Sequence, residues 1–283
     1  MLQPPCLTGG LSTVLAGRSF AVFTARDHDS ALWTSPIAGE PGFLVAGGTA
    51  LTVHATPTTG DPPHNPPVPQ HVGLLAIDFG IRRRIRVNGE LTGSSADTLT
   101  VHADQAFGNC PSYIQQRHLT TTPSSTHTTV PGHAHPHTAT DAGALEDEHI
   151  ELIRSADTFF LGTAHPTRGA DASHKGGRPG FVRVEGREIW WPDYAGNNLF
   201  NSLGNITVDP ATALLFIDFT TGGTLQLSGD AQVEWLDPSA DEGGTGRRVR
   251  FTPRRIRTGT VALHGDLVSF SPHNPAVRTS QAT

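Results

Sequence analysis

One apolar block occurs twice in this chain. Leu74-Leu-Ala-Ile-Asp-Phe79 returns as Leu214-Leu-Phe-Ile-Asp-Phe219, 140 residues later. Upstream of each, Pro41-Gly-Phe-Leu44 returns as Pro179-Gly-Phe-Val182, at an offset of 138 residues. Two blocks that recur in order at nearly constant spacing point to a duplicated domain, because solenoid repeats have periods of only about 20–50 residues. The length of 283 residues agrees, since single cores stop growing at roughly 250 residues. The Thr/Ser/Pro/His tract at 120–140 has almost nothing apolar to bury and reads as a linker. The expected organisation is therefore a first repeat at 1–119, a linker at 120–144 and a second repeat at 145–283.

Both repeats read as antiparallel β meanders. Each apolar block is short and followed by alternation, with Arg84, Arg86 and Asn88 opposite Ile85 and Val87, and Thr224, Gln226 and Ser228 opposite Leu225 and Leu227. The Asn88-Gly89, Glu185-Gly186 and Ser228-Gly229 dipeptides supply the positive φ that tight hairpin turns need. Candidate helices fall at 110–117 behind a first-turn proline, at 145–155, and at 197–203 ahead of Asp209-Pro210. A polar, Pro-rich stretch at 60–70 interrupts the first repeat where a loop belongs. With 31 Gly, 22 Pro and only 16% charged residues, the composition suits a turn-rich, mainly β protein.

Charge and cysteine content narrow the function classes. A formal charge of −6 argues against general nucleic-acid binding, so any anion site must be local, as at Arg82–Arg86 or Arg247–Arg257. No apolar run approaches the roughly 18 residues of a membrane span, and the N-terminal segment lacks the basic region and apolar run of a secretory signal. Two cysteines, Cys6 and Cys110, build no disulfide framework, and a reducing cytoplasm is the expected compartment.

Three segments can carry chemistry. In Gly169-Ala-Asp-Ala-Ser-His-Lys-Gly-Gly-Arg-Pro-Gly-Phe-Val182, glycines let backbone N–H groups approach a phosphate, while Ser173, His174, Lys175 and Arg178 add donors and charge. The same stretch reads equally as a solvated hairpin loop. In Trp190-Trp-Pro-Asp-Tyr-Ala-Gly-Asn-Asn-Leu199, Asn197 or Asn198 either contacts a ligand at a helix N-terminus or simply caps the helix. Arg84 and Arg86 share one strand face and either clamp an anion or lie on a solvated, ion-paired face. The second repeat has Thr224 and Gln226 in their places, an asymmetry that hints at one working ligand site built from unequal repeats. The His133-Ala-His-Pro-His137 tract has metal-binding composition but a flexible setting without supporting partners, so no metal site is assigned. No Walker loop, dinucleotide fingerprint, Gly-x-Ser-x-Gly elbow or His-Glu-x-x-His motif occurs.

The Gly169–Val182 segment, Pro192-Asp-Tyr-Ala-Gly-Asn-Asn-Leu-Phe-Asn201, the 214–219 block with Thr224-Leu-Gln-Leu-Ser-Gly229, and Phe107-Gly-Asn-Cys-Pro-Ser-Tyr-Ile114 together resemble the pyridoxamine 5'-phosphate oxidase-like FMN-binding split barrels, in their two-repeat form. The resemblance implies a six-stranded split barrel in each half, with FMN at an interface between barrels. It maps flavin contacts to Ser173, His174, Lys175, Arg178, Phe181, Val182, Pro192, Asp193, Asn197 and Asn198, with Arg84, Arg86 or Thr224 facing them from the other barrel. It implies an FMN-dependent oxidoreductase acting on a small-molecule substrate, usually as a homodimer, although the second repeat already supplies a pseudo-dimer. His174 is the candidate catalytic residue. Two departures count against pyridoxine phosphate itself as substrate: the family's basic phosphate-gripping pair is Asn197-Asn198 here, and residues 236–283 hold no counterpart of its C-terminal pyridoxal phosphate elements. The alternatives are a non-catalytic flavin carrier and a haem or deazaflavin F420-type binder on the same fold.

Overall fold

The two faces of each repeated apolar block fill two different cores. In the computed structural model, which describes residues 5–108, 110–121, 139–141, 144–196, 201–237 and 241–277, the first half runs α1 (Gly10–Ala16), β1 (Phe20–Arg26), β2 (Leu32–Ala38), β3 (Leu44–Gly47), β4 (Ala50–Val53), β5 (Gln70–Asp78), β6 (Arg83–Ser94), β7 (Leu99–Gly108) and β8 (Gln116–Thr121). The rest runs β9 (Ala139–Asp141), α2 (Asp147–Ser155), β10 (Thr158–His165), β11 (Gly169–Gly176), β12 (Arg183–Glu185), β13 (Glu188–Pro192), α3 (Asn201–Val208), β14 (Ala211–Ile217), β15 (Gly223–Trp235), β16 (Arg247–Thr260) and β17 (Leu263–Ser269). One seven-stranded antiparallel sheet has the order β2-β1-β5-β6-β7-β4-β3, and the other has the matching order β11-β10-β14-β15-β16-β13-β12. The duplication read from the blocks is thus carried by the whole strand order, with seven matching strands per half among the described residues rather than the six expected, and β9 added to the second sheet.

Along β5, Leu74 and Ala76 enter the first half's own core, whereas Leu75, Ile77 and the following Phe79 enter a core between the halves. Along β14, Leu214 and Phe216 fill the second half's core, and Leu215, Ile217 and Phe219 meet the shared one. A strand covered on both faces reads as a continuous apolar run, which is why these blocks stand out in the sequence. The contacts are reciprocal: β5 lies against β11 as β14 lies against β2. Phe79 and Phe219, equivalent residues, meet edge to face with centroids 5.4 Å apart. This is the isologous arrangement of a two-fold dimer, built here within one chain. β8 and β17 then pair across the halves, Leu119 opposite Gly265.

Close approach demands glycine at two kinds of position. A Cβ on Gly73 would lie 2.6 Å from the Ala172 backbone nitrogen of the opposing half, and one on Gly162 would lie 2.2 Å from Thr34 Oγ1. Gly89 and Gly229 are not hairpin turns. Both fall inside long strands, at register shifts between Asn88 and Gly89 and between Ser228 and Gly229, where a Cβ would meet the carbonyl oxygens of His102 at 2.0 Å and Thr252 at 2.2 Å. They are β-bulges, which use glycine for the same conformational freedom as turns do. The Glu185-Gly186 turn is as expected, with Gly186 at φ 61° between β12 and β13.

The helix expected at 110–117 is absent. Tyr113 takes φ 66°, and Gln115 is fully buried, its amide bonded to the carbonyls of Tyr113 and Gly177 and to Asn274. α2 matches the expectation for 145–155, and α3 (Asn201–Val208) carries the described part of the helix expected at 197–203, ending before Asp209-Pro210; residues 197–200 lie outside the described residues. β9 lies inside the segment read as a linker and pairs with β16; His133, His135 and His137 lie outside the described residues. Among the described residues no helix is long and apolar enough to cross a membrane.

The interface also buries polar groups. Asp61 accepts from Ser35 Oγ at 2.6 Å and from Gln226 Nε2 at 3.3 Å, while Gln226 also donates to the Thr34 carbonyl and Ser35 Oγ. Burial pushes the Asp61 carboxyl up to about 6, against the opposing pull of its hydrogen bonds and Arg257. Between about pH 4 and 6 the folded chain therefore holds a proton that the unfolded chain releases, and stability falls as pH rises through that window, by on the order of 3 kcal/mol. Asp61→Asn should remove this contribution: the unfolding free energy at pH 4 minus that at pH 7, from urea titrations, should be lower in the variant than in the parent by about that amount. Gly73→Ala should cost about 1–3 kcal/mol by overpacking the interface. Gly10→Ala, in open space on α1, should stabilise by up to about 1 kcal/mol, and the two thermal midpoints should move in opposite directions.

Candidate functional site

A cleft opens where the edge strand β11 of the second half meets β6 of the first. It is lined by Arg84, Arg86, Cys110, Ser112 and Tyr113 from one side and by Ser173, His174, Lys175, Phe181, Trp191, Pro192, Asp193, Tyr194, Ser202 and Arg247 from the other. The strand period places these groups. Arg84, Arg86 and Asn88 share the face of β6 that looks across the interface, and alternation along β11 puts Asp171, Ser173 and Lys175 on one side with His174 on the other.

Arg86 is the hinge of the polar wall. Its Nη1 donates to both Asp171 oxygens at 3.1 and 3.0 Å, and its Nη2 donates to Ser173 Oγ at 2.7 Å. Asp171, 2% exposed, also accepts from Asn88 Nδ2 and Ser202 Oγ, each at 3.0 Å. A buried carboxylate is tolerable only when its lone pairs are matched, and here donors from β6 and α3 match those of Asp171 on β11. β6, β11 and α3 are thereby tied together.

His174 sits beside this pair in an aromatic setting, edge-on to Phe79 and Phe160. Arg84 Nη1 lies 2.9 Å from His174 Nδ1. A guanidinium has no acceptor, so Nδ1 accepts and the proton resides on Nε2. Burial first, then the Arg84 charge, holds His174 well below the ordinary histidine range. The ring is neutral in the folded chain, and acid titration of the unfolded chain's His174 near pH 6.5 disfavours folding as pH falls.

Positive charge exceeds negative charge in the cleft. Arg86 is matched by Asp171, and Arg247 pairs with Asp193 at 2.9 Å. Arg84 has only the neutral His174, and burial followed by the nearby Arg86 charge brings it down to about 10, so it stays charged at neutral pH. The Lys175 ammonium is lowered by burial and by Arg86 and Arg84, against Asp193 and Asp171. At the mouth, Tyr113 and Tyr194 approach with ring centroids 5.2 Å apart, and burial pushes the Tyr194 phenol up to about 12. The exposed Cys110 thiol is lowered chiefly by its hydrogen bond to Ser112.

Four side-chain nitrogens on residues that line the cleft are buried without a hydrogen-bond partner: Arg84 Nε, Arg86 Nε, His174 Nε2 and Trp191 Nε1. All four carry N–H, the histidine by the tautomer argument. Buried donors in folded proteins are matched as a rule, so four unmatched ones on residues of a single cleft that also holds Lys175 point to a ligand rich in acceptors.

Several residues named from sequence meet here: Arg84, Arg86, Ser173, His174, Lys175, Phe181, Pro192 and Asp193. Others do not line it. Arg178 is exposed and stacks over the Phe270 ring at 5.3 Å, Val182 is in the second half's core, and Thr224 lies on β15 away from the cleft. Asn197 and Asn198 fall outside the described residues. Arg247, at the head of the 247–257 run read as a possible anion site, also lines it; sequence reading missed Asp171, Tyr113 and Ser202, and the period-2 alignment of Asp171 with Ser173 and Lys175 was the available signal for the first.

Arg86→Ala should cost about 3–5 kcal/mol, because it strands Asp171 as an uncompensated buried charge. Asp171→Ala added to it should cost far less than the two separate losses combined, which a double-mutant cycle from chemical denaturation would read directly.

The family model described as Pyridoxamine 5'-phosphate oxidase matches residues 145–262. Similar solved structures include the haem storage protein of Vibrio cholerae (13% identity, 42% of this chain and 98% of that one, TM-score 0.31). They also include the FAD binding protein of Mycobacterium smegmatis (13%, 44% and 100%, TM-score 0.29). A third is a pyridoxinephosphate oxidase family protein from Clostridium acetobutylicum (14%, 43% and 92%, TM-score 0.30). No curated protein matches the sequence.

Proposed function

The second half of this chain is a pyridoxamine 5'-phosphate oxidase-like domain, and from that premise we propose that the cleft binds FMN and that the chain is an FMN-dependent oxidoreductase acting on a small organic substrate. The observation that carries the reading is the set of unpartnered donors on Arg84, Arg86, His174 and Trp191, all residues of the cleft that also holds Lys175. A flavin phosphate is anionic, and the pyrimidine edge of the flavin ring offers only weakly charged acceptors beside its one N–H. The cleft has donors of both kinds.

Lys175 and Arg84, the charges not offset by a carboxylate, hold the phosphate in this reading. The neutral N–H groups of His174 and Trp191 suit the ring's uncharged acceptors. Bound FMN supplies hydride and electron transfer, and the protein orients it and sets its electrostatics. His174, held neutral, donates a hydrogen bond rather than releasing a proton at neutral pH. Tyr113 and Tyr194, protonated throughout the physiological range, cover the mouth and limit water.

Titrating FMN into purified protein tests this. Flavin absorbance should shift and fluorescence should be quenched on binding, and Lys175→Ala should weaken affinity by roughly 10- to 150-fold, since a charge-assisted hydrogen bond is worth about 1.5–3 kcal/mol. Arg178→Ala, directed at the residue stacked on Phe270, should leave affinity unchanged. A haem iron needs a nitrogen lone pair, which His174 Nε2 lacks while Nδ1 accepts from Arg84; a Soret band in the purified protein would overturn that arrangement and sink the flavin reading. Flavin that binds but is reduced by neither NAD(P)H nor any candidate substrate would leave a carrier instead of an enzyme.

A further inference from the structure

The internal symmetry gives the cleft a counterpart on the opposite side of the interface. Strand registers align Arg84, Arg86 and Asn88 of β6 with Thr224, Gln226 and Ser228 of β15. They align Ser173, His174 and Lys175 of β11 with Ser35, Pro36 and Ile37 of β2. The polar geometry survives in outline: Gln226 donates to Ser35 Oγ at 2.9 Å, as Arg86 donates to Ser173 Oγ at 2.7 Å. The charge does not survive. Two arginines, a histidine and a lysine are replaced by threonine, glutamine, proline and isoleucine.

The connections between matching strands differ as well. Between β13 and β14 the chain carries Asp193, Tyr194 and α3 to the cleft, with Ser202 reaching Asp171. Between β4 and β5 the equivalent connection, residues 54–69, holds six prolines and no helix. It turns inward, with Pro57, Asp61, Pro63 and Pro66 buried. Its Asp61 carboxylate bonds both Ser35 and Gln226, the counterparts of Ser173 and Arg86. The second half secures it from above through Arg257, which donates to the Gly60 carbonyl. Prolines fix φ in advance, so the segment loses little freedom on seating there.

We propose that residues 54–69 are a built-in plug, anchored by Asp61, that closes the second of two symmetry-related positions and leaves the chain a single ligand site. The ligand identity in the stoichiometric test rests on the flavin reading above; the plug itself does not.

Two measurements on the full chain separate these. In FMN titration at concentrations well above the dissociation constant, the parent and Gln226→Ala should both saturate at one FMN per chain, and two per chain would overturn the proposal. In hydrogen exchange read by mass spectrometry, Asp61→Ala should raise deuterium uptake of the peptide over 54–70 at least tenfold in rate. Asp61→Asn, which keeps an acceptor for Ser35, should retain most of the protection. Equal protection in parent and Asp61→Ala overturns the plug. Should Asp61→Ala fail to fold, Gln226→Ala serves the same exchange comparison, with the same outcomes. A chain that binds no FMN refutes the flavin reading alone, and the exchange comparison then decides the plug.

Discussion

Everything in this molecule depends on β5 and β14 being covered on both faces. Each strand gives alternate side chains to its own half's core and to the core between the halves. A strand that is apolar on both faces cannot stand at a surface, so neither half is complete without the other. The shared core brings the edge of β11 against β6, and that juxtaposition creates the cleft. Glycines at 73 and 162 set how closely the sheets approach, and so how far Arg86 must reach to find Asp171.

The cleft illustrates how charge is distributed between holding a structure and binding a ligand. Arg86 and Asp171 satisfy one another, with Asn88, Ser202 and Ser173 completing the set. Arg84 and Lys175, two residues along the same strand faces from Arg86 and Ser173, have no such carboxylate. Removing either partner of the first pair is a stability problem. Removing a member of the second is a binding problem. Burial first, then the charges of Arg84, Lys175, Arg86 and Arg117, keeps His174 neutral.

Much of this was legible in the residues, and the failures have physical causes. The duplication, the β character and the shared face of Arg84 and Arg86 follow from periodicity, a local property. Asn88-Gly89 was read as a turn because a turn and a bulge both require glycine. The distinction lies in the His102 carbonyl on a neighbouring strand, which no local pattern contains. The proline at 111 resembled a helix start, yet the burial of Gln115 between distant carbonyls sets the conformation there. α1 went unread because its N-cap is a glycine without a side-chain hydrogen bond. In the cleft, Ser173 to Lys175 announced themselves by composition, while Tyr113 and Ser202 arrive from a separate connection and helix. Arg178 looked equivalent to Lys175 by proximity, but it lies beyond the end of β11 and turns outward onto Phe270.

The pairing of β8 with β17 has a consequence for synthesis. Leu119 finds its partner only when Gly265 exists, so a ribosome must make most of the chain before the first half's tail can dock. Contacts this distant in sequence are slow to form, and until β11 and the rest of the shared core are made, Leu75 and Ile77 of β5 and the following Phe79 stand without cover. A nascent chain in that state is a natural client for chaperones that bind exposed apolar strands, and a truncated product ending before β10 would be prone to aggregate or to pair with another copy of itself.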